Sequence, residues 1–321
     1  MFESLELAPA DPILGLNEAY QQDTNPQKIN LSVGVFTDES GVTPILATVK
    51  QAEARLVDQE RTKSYLPIAG SPRYDSLVQE LLLGAGHAAV TEQRLATIQT
   101  PGGTGTLRVA ADFIKRNYPQ AAIWCSKPTW ANHPKIFAAA GVPVHEYAYL
   151  DSDARYLDFD AMTESLRKIP AGHVVLLHSC CHNPSGIDPT PEQWQVLATL
   201  LCERGVLPLL DFAYQGFGDG LEPDAVAVRT IVDHVDEFLV ASSFSKNFGL
   251  YRERVGALSA VAANNSTAQK VLSNLKVCVR TNYSNPPAHG AAIVETILGD
   301  AELRTAWEQE VAAMRERINQ M

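Results

Sequence analysis

The middle of this chain alternates short apolar runs with helical patterns, and this alternation limits the possible folds more than any other feature. The apolar runs occupy residues 122–125, 174–177, 206–210, 238–241 and 255–258. Their apolar character is continuous rather than alternating, which is typical of strands that are buried on both faces. The pattern therefore predicts a parallel sheet covered by helices.

One helix between two of these runs is marked at both ends. Thr190 can cap its start, Pro191 takes the first helical position, and Gln193 completes a capping box. Gly205 marks its end. One face of the helix is apolar and consists of Trp194, Leu197, Ala198 and Leu201. A strand, a helix and a strand in this order form a βαβ unit, which predicts an α/β fold.

Length, charge and cysteine usage exclude several classes of protein. A chain of 321 residues suggests about two domains, and 26 basic against 37 acidic residues give a net charge of −11. Because this charge repels phosphate backbones and anionic membranes, we expect neither a nucleic-acid partner nor a membrane partner. The five cysteines show no disulfide framework, and the N-terminal residues do not resemble a signal peptide. These features predict a cytoplasmic protein.

Polar residues cluster directly after three of the apolar runs, at 178–183, 211–214 and 242–246. In open α/β sheets, ligands bind outside the carboxyl ends of the strands. Any one cluster is compatible with ordinary loop chemistry. Three clusters at three strand ends predict one shared site.

Lys246 is the strongest candidate for covalent chemistry in these clusters. Most lysines are solvated surface charges, but Lys246 follows an apolar run and is flanked by hydroxyl groups. Desolvation lowers the pKa of such an amine, which favours Schiff-base formation. Asp211 ends an apolar strand, where a carboxylate must meet a cation or cap a helix, and Tyr214 could face the same space. Arg254 could form a bidentate pair with a phosphate.

A glycine-rich segment at 100–105 precedes a helical pattern and could bring free N–H groups to a phosphate. It is not a P-loop, and Arg108 stands where a dinucleotide-binding motif would have its third glycine. A purely structural turn is an equally good interpretation of this segment alone.

Two further motifs suggest other chemistry. His178, Cys180, Cys181 and His182 look like metal ligands, but adjacent residues of an extended strand point to opposite faces. No second cysteine or histidine pair completes a site, so we expect no metal. Ser243 and Lys246 also fit the S-x-x-K motif of serine acyl hydrolases. That motif should open a helix, whereas a strand precedes it here, so a hydrolase is the weaker alternative.

Taken in order, these motifs resemble those of the class I pyridoxal-phosphate aminotransferases, and specifically the bacterial aspartate and aromatic amino acid aminotransferase branch. The resemblance extends from Asp11 to the last residue. It rests on segments 102–104, 180–186, 211–217, 243–246, 254 and 282–287. It implies fold-type I, in which a three-layer αβα large domain with a mostly parallel sheet is joined to a small domain.

The resemblance also implies pyridoxal 5'-phosphate (PLP) as cofactor and a role for each motif residue. Lys246 would hold PLP as a Schiff base and move the substrate proton, and Asp211 would pair with the ring nitrogen. Tyr214 and Asn183 would hydrogen-bond the phenolic oxygen, and Trp130 would stack on the ring and contact the substrate. The phosphate would be held by Gly103, Thr104, Ser243, Ser245 and Arg254.

Three further residues matched to the family imply a substrate and a partner. Arg280 would reach across a homodimer to the side-chain carboxylate of a dicarboxylic substrate, and Tyr65 would reach the neighbouring phosphate. Gly34 would lie close to the substrate, which Asn183 would also contact. The resemblance implies transamination between 2-oxoglutarate and aspartate, an aromatic amino acid, or both, because aromatic aminotransferases keep the same arginine.

The end of the chain departs from the family. We expect an N-terminal arm at 1–14, a small-domain segment at 15–46, a large PLP-binding domain at 47–300 and a truncated return to the small domain at 301–321. Family members continue further and supply an arginine for the substrate α-carboxylate. A catalytically deficient cofactor-binding fragment is therefore an alternative. The apolar stripe Leu303, Trp307, Val311, Met314 and Ile318 is expected to be exposed and sticky.

Overall fold

The computed structural model describes residues 2–7, 14–29 and 34–321, which form two compact units, Met1–Pro44 and Ile45–Met321. In the first unit, helix α1 spans Leu14–Gln22. Lys28 Nζ lies 4.4 Å from the centre of the Tyr20 ring and donates to the Tyr20 carbonyl. Residues 11–13, where the family resemblance begins, lie outside the described residues.

The second unit is built on a seven-stranded sheet with the order β1-β7-β6-β5-β4-β2-β3. Strand β7 runs antiparallel to its neighbours β1 and β6, and the other pairs are parallel. The expectation of an α/β fold with a mostly parallel sheet is therefore confirmed. The strands are β1 Leu95–Pro101, β2 Ile123–Lys127, β3 Val144–Ala148, β4 Val174–His178, β5 Leu207–Phe212, β6 Phe238–Ser243 and β7 Val255–Val261.

Helices pack against this sheet. They are α2 Ala47–Gln59, α3 Pro72–Leu83, α4 Ala88–Thr91, α5 Gly102–Asn117, α6 Asn132–Ala139, α7 Phe159–Arg167, α8 Pro191–Arg204, α9 Val226–His234, α10 Asn265–Asn282, α11 His289–Leu298 and α12 Ala301–Asn319. Among the described residues, no helix combines the length and the apolar character that crossing a membrane requires.

Helix α8 is the element whose limits the sequence predicts most sharply, and the structure confirms them. The Thr190 hydroxyl accepts from the Gln193 N–H, and the Gln193 side chain accepts from the Thr190 N–H. Gly205 ends the helix with a φ of 60°, in the left-handed region that glycine adopts at little cost.

Helix α12 corrects one expectation. Its predicted exposed stripe is buried: Leu303, Trp307, Val311 and Met314 are between 0% and 6% exposed, and only Ile318, at 44%, faces solvent. The helix packs within the unit 45–321, so the proposed stickiness of this stripe was wrong. Glu310 of α12 accepts hydrogen bonds from the N–H groups of Ala47 and Thr48, which satisfies the start of α2.

Strand direction brings the candidate site residues to one edge of the sheet. Because β1, β4, β5 and β6 run parallel to one another, their carboxyl ends meet at the same edge. The antiparallel strand β7 begins there, immediately after Arg254. The register places His178 beside Asp211 on β4 and β5, and Asp211 beside Ala241 on β6.

Candidate active site

Asp211 is a buried carboxylate at the end of β5, with 8% of its surface exposed. Its Oδ2 atom lies 2.8 Å from His133 Nε2, and His133 Nδ1 lies 2.7 Å from the Thr129 hydroxyl. A carboxylate can only accept, so the His133 Nε2–H donates to Asp211. His133 Nδ1 and the Thr129 hydroxyl share the second hydrogen bond of this chain. This chain of hydrogen bonds holds the carboxylate in its charged form.

Two opposing effects act on the pKa of Asp211. Burial by itself would raise the pKa, but the hydrogen bond from His133 and nearby positive charge hold it below the usual range of an aspartate. The result is a buried negative charge that is ready to meet a positive group. The alternative role of Asp211 as a simple helix cap does not fit these contacts, because its side-chain partner is a histidine.

His178 lies beside this pair, and its ring centre is 5.1 Å from that of His133. Burial lowers the pKa of His178, Asp211 opposes this change, and the charges of His133 and His182 add to it, so that the pKa is about 3. The ring is therefore neutral near pH 7. Neither of its nitrogens has a hydrogen-bond partner. The site thus holds an unsatisfied polar ring next to its buried carboxylate.

The sequence predicts a role for Asp211 but misses His133. His133 follows Trp130 by three residues: Trp130 lies in the loop before α6, and His133 lies in the first turn of that helix. Trp130 stands edge-on to His133, with ring centres 5.2 Å apart. A single histidine three residues after Trp130 forms no recognisable sequence motif. Its role becomes visible only when the fold brings it next to Asp211.

His133, His178 and Asp211 also form a group of metal-ligand types, whose ligand atoms all lie within 4.8 Å of one another. The contact of 2.8 Å between His133 and Asp211 is a hydrogen bond. A tetrahedral ion such as Zn²⁺, bonded to both atoms at about 2 Å, would hold them about 3.3 Å apart. The geometry is therefore that of a hydrogen-bonded carboxylate. Neither Cys180 nor Cys181 belongs to this group.

Lys246 lies in the turn between β6 and β7, where it is partly buried. Its Nζ atom is 4.8 Å from the centre of the Tyr214 ring. Burial lowers the pKa of Lys246 below its ordinary range, the Asp211 carboxylate opposes this change, and Arg254 adds to it. The fraction of free amine, the nucleophilic form, is thereby increased.

The ring of Tyr214 faces the Lys246 amine, and its phenol has a perturbed pKa. Burial and the charge of Asp211 raise its pKa to about 12, although a hydrogen bond with the Asn183 side chain opposes both effects. The phenol therefore stays protonated near neutral pH and can donate a hydrogen bond. Asn183, partly buried, is the neighbour that shares this space.

A polar cradle lies where α5 begins. A Cβ atom placed on Gly102 would come within 2.3 Å of an Arg254 guanidinium nitrogen, and one on Gly103 would come within 3.1 Å of Ser243 Cβ. Only glycine leaves room for these neighbours. The Ser243 hydroxyl donates to Ser245 Oγ at 3.2 Å, and Arg254 Nη1 donates to Ser245 Oγ at 3.5 Å.

This cradle gathers donors that suit an anion. Helix α5 has 16 residues and presents the free N–H groups of its first turn at the same place. Thr104, exposed in that turn, adds a hydroxyl. The predicted phosphate residues Gly103, Thr104, Ser243, Ser245 and Arg254 are therefore brought to one edge of the sheet, although their predicted ligand stays a prediction.

Three predicted residues are not placed in this constellation. Tyr65 is 92% exposed, and Arg280 is exposed in the last turn of α10, where its guanidinium hydrogen-bonds to Ser284. Gly34 is exposed in the unit 1–44. The roles assigned to them stay predictions.

Known proteins with this pattern are aminotransferases. The family described as aminotransferase class I and II matches residues 26–321. The chain is 55% identical to an aspartate aminotransferase of Salmonella typhi over 321 residues, which are 100% of this chain and 81% of that protein. It is 51% identical to an aromatic-amino-acid aminotransferase of Pseudomonas aeruginosa over 317 residues, which are 99% of this chain and 79% of that protein.

A solved structure agrees with these sequence relatives. The aromatic-amino-acid aminotransferase of Burkholderia pseudomallei, covalently bound to pyridoxal phosphate, superimposes with a TM-score of 0.96 at 47% identity. The superposition covers 99% of this chain and 80% of that one.

Proposed function

Because the chain belongs to the class I and II aminotransferases and is a PLP-dependent transaminase, we propose that Lys246 is the residue that binds PLP. The amino group would move between 2-oxoglutarate and aspartate, an aromatic amino acid, or both. The single observation that carries the assignment of Lys246 is its partly buried amine, 4.8 Å from the Tyr214 ring and electrostatically coupled to Asp211 and Arg254.

The residues on this sheet edge fit the chemistry of PLP. The space left by Gly102 and Gly103 is bordered by Arg254 and Ser243, which suits a phosphate group. Asp211 offers a buried negative charge, which suits a protonated ring nitrogen. Lys246 supplies an amine with a lowered pKa, which suits a carbonyl carbon. The three groups of the cofactor thus find three chemically matched partners.

When bound, PLP would supply an electron sink for the bond that breaks at the substrate α-carbon. Asp211 would keep a proton on the ring nitrogen, held in place by the hydrogen bond from His133. Lys246 Nζ would take a proton from the substrate α-carbon, and its lowered pKa increases the fraction of the amine in the basic form. Tyr214 and Asn183 would donate hydrogen bonds to the phenolic oxygen, and Trp130 would contact the ring and the substrate.

We also propose that two copies of the chain form a homodimer with shared sites. Tyr65 and Arg280 are exposed and carry groups that bind anions, namely a phenol and a guanidinium. Each would serve the neighbouring site, Tyr65 at the phosphate and Arg280 at the side-chain carboxylate of a dicarboxylic substrate. Gly34 would lie close to the substrate.

The alternatives receive less support. The Ser243 hydroxyl donates to Ser245, and both residues border the anion cradle, which leaves Ser243 poorly placed as a hydrolase nucleophile. A catalytically deficient fragment is not favoured either, since the chain is 55% and 51% identical to an aspartate and an aromatic-amino-acid aminotransferase. We place the protein in the cytoplasm, because all five cysteines are free thiols in the fold.

The test of the Lys246 assignment is covalent trapping. The chain is loaded with PLP and reduced with borohydride, and the labelled peptide is identified by mass. We expect the label on Lys246, and we expect Lys246→Ala to lose it together with turnover of glutamate and oxaloacetate. Lys50→Ala, which removes an exposed lysine, is the matched control. Label on another lysine would contradict the assignment.

The test of the shared site is complementation. Lys246→Ala and Arg280→Ala each remove one proposed contribution, so a mixture of the two inactive variants forms some dimers with one intact site. We expect activity to return on mixing, to at most about a quarter of the wild-type level per subunit for random exchange. If mixing restores nothing although the subunits exchange, the proposal that Arg280 serves the neighbouring subunit is wrong.

A further inference from the structure

Four buried aromatic rings run past the turn that carries Lys246. Tyr74 of α3 packs edge-on against Phe244, Phe244 packs edge-on against Phe248, and Phe248 stacks on Trp307 of α12. The ring centres are separated by 5.9, 5.6 and 4.3 Å, and all four side chains are between 0% and 2% exposed. Phe244 and Phe248 stand two residues before and two residues after Lys246. We name Tyr74, Phe244, Phe248 and Trp307 the aromatic series.

Trp307 adds a directional contact to this packing. Its indole N–H donates to the carbonyl of Asn247 at 2.7 Å, and Asn247 is the residue directly after Lys246. Both partners are buried, at 0% and 1% exposed. A buried indole N–H needs a partner, and a carbonyl held in this way cannot rotate without losing the bond. Trp307 therefore fixes the peptide group that follows the lysine.

The same helix also holds the loop that carries Tyr214. Arg315 Nη1 donates to the Gly216 carbonyl at 3.0 Å, and a Cβ on Gly216 would come within 2.6 Å of Val311. The two loops are joined to each other, because the Asn247 side chain donates to the Gln215 carbonyl at 3.2 Å. Helix α12 thus contacts the backbone beside both polar groups that face each other across 4.8 Å, Lys246 and Tyr214.

From this geometry we infer that Trp307 is a positioning residue for Lys246, acting through the Asn247 carbonyl and through Phe248. A lysine whose turn is held on both sides by buried rings keeps its amine in one partly buried place. If the turn loosens, water reaches the amine, the ammonium form is better solvated, and the amine becomes a weaker nucleophile at a given pH. The inference rests on the proposed function only for its catalytic consequence.

The charges that face the amine are known and do not involve α12. Asp211 of β5 favours the ammonium form, and Arg254, which directly precedes β7, disfavours it. The ring of Tyr214 faces the amine from the loop after β5. Replacement of Trp307 leaves these three groups in the chain. A change in the titration of Lys246 would therefore report the packing of its turn.

The experiment compares Trp307→Phe with Leu303→Ala in the full chain freed of cofactor. Trp307→Phe keeps a ring against Phe248 and removes the indole N–H. Leu303 is buried on the same helix and is not one of the four rings, so Leu303→Ala reports loss of α12 packing alone. The rate of carbamylation of Lys246 by cyanate is followed against pH by peptide mass. The midpoint of this profile gives the pKa of the amine independently of its absolute rate.

For Trp307→Phe we expect the midpoint to rise by about half a pH unit, a roughly threefold loss of free amine at any pH below it. Leu303→Ala should lower the melting temperature and leave the midpoint at the wild-type value. An unchanged midpoint in Trp307→Phe, or an equal shift in Leu303→Ala, would overturn the inference. These midpoints are measured without PLP, so they stand even if trapping assigns the cofactor to a different lysine.

With PLP bound, the same variants separate positioning from binding. We expect Trp307→Phe to lower kcat about threefold with KM nearly unchanged, because the amine and not the substrate pocket is disturbed. A rise in KM with unchanged kcat would contradict a positioning role at Lys246.

Discussion

The candidate site has an inner end around Asp211 and an outer end at the polar cradle. The two ends differ in how fully a single chain forms them. At the inner end, His133, His178 and Asp211 are 0%, 6% and 8% exposed, and Asp211 has its partner within the chain. At the outer end, the cradle residues Thr104 and Arg254 are exposed. The inner end is finished by folding, whereas the outer end is open to a ligand.

This difference indicates where the electrostatic interactions of the site are strongest. A charge interaction in a water-poor environment is worth several times the same interaction at the surface. We therefore expect the buried carboxylate at the inner end to control reactivity, and we expect each exposed donor at the outer end to contribute less and to act jointly with the others. Substitutions at the two ends should differ accordingly in the size and in the kind of their effect.

The largest effect is expected at the centre of the inner end. Asp211→Ala removes one partner of a buried charge pair, which costs about 3–5 kcal/mol. Transamination should therefore fall by about 10² to 10⁴, at about 1.4 kcal/mol for each factor of ten. Single-turnover rates measure this loss, and Asp211→Glu, which keeps the charge, should recover part of the rate. A near-normal rate in Asp211→Ala would place the control of reactivity elsewhere.

A smaller loss is expected one step away from Asp211. His133→Phe keeps a ring of similar size and removes the donor to the carboxylate, a charged hydrogen bond worth about 1.5–3 kcal/mol. We expect turnover to fall by about 10 to 10², and we expect the acid limb of the pH profile to move to higher pH. The direction follows because the hydrogen bond from His133 holds the pKa of Asp211 down. An unshifted acid limb would mean that His133 does not control the charge of Asp211.

The inner end should also make folding sensitive to acid. The pKa of His178 is about 3 in the fold, while a histidine in an unfolded chain titrates near 6.5. Between these values the unfolded chain binds a proton that the folded chain does not. Stability is therefore lost as the pH falls, by about 1 kcal/mol per pH unit.

Urea unfolding at pH 5 and pH 6 measures this sensitivity. His178→Phe should show a smaller difference in the free energy of unfolding between the two values than the wild type. His145→Gln, which replaces an exposed histidine, should retain the wild-type difference. If His178→Phe retains it as well, the acid sensitivity does not come from the inner end.

The smallest effect is expected at the outer end. Thr104→Ala removes one exposed hydroxyl from a cradle with several other donors, and such a bond is worth about 0.5–1.5 kcal/mol. The dissociation constant of PLP should rise by about two- to tenfold, with kcat at saturating PLP unchanged. Fluorescence titration with PLP provides the measurement. A loss of kcat as large as that of His133→Phe would remove the distinction between the two ends.

The strands show which parts of the fold can be predicted from local pattern. Five strands coincide with the continuous apolar runs, but β1 and β3 do not belong to those runs. Strand β1 contains Thr97, Gln99 and Thr100, which are buried, and the Thr97 hydroxyl pairs with that of Ser259 on β7. Strand β3 is an edge strand with exposed His145 and Glu146. Polar residues satisfied across strands, or exposed at an edge, give no apolar signal.

Helix α12 shows the same limit for packing. Its start at Asp300 and its apolar stripe are visible in the sequence, and Asp300 does accept hydrogen bonds from the first turn. What covers the stripe is not visible, because Trp307 meets Phe248 and Asn247 about sixty positions away in the chain. A periodic pattern predicts that one face of a helix will be buried, but it does not indicate which residues will cover that face.

The sequence by itself determined the α/β class, the limits of α8, and the identities of Lys246, Asp211 and Tyr214 as candidates. These follow from local rules, since strand burial, helix caps and motif spacing depend on residues that are neighbours in the chain. Only the tertiary structure decided that His133 donates to Asp211, that His178 is left without a partner, and that α12 supports the turn of Lys246. These contacts join segments that are distant in the chain, and local sequence does not indicate which residues will meet. The partners are decided by distance and burial once the sheet has formed.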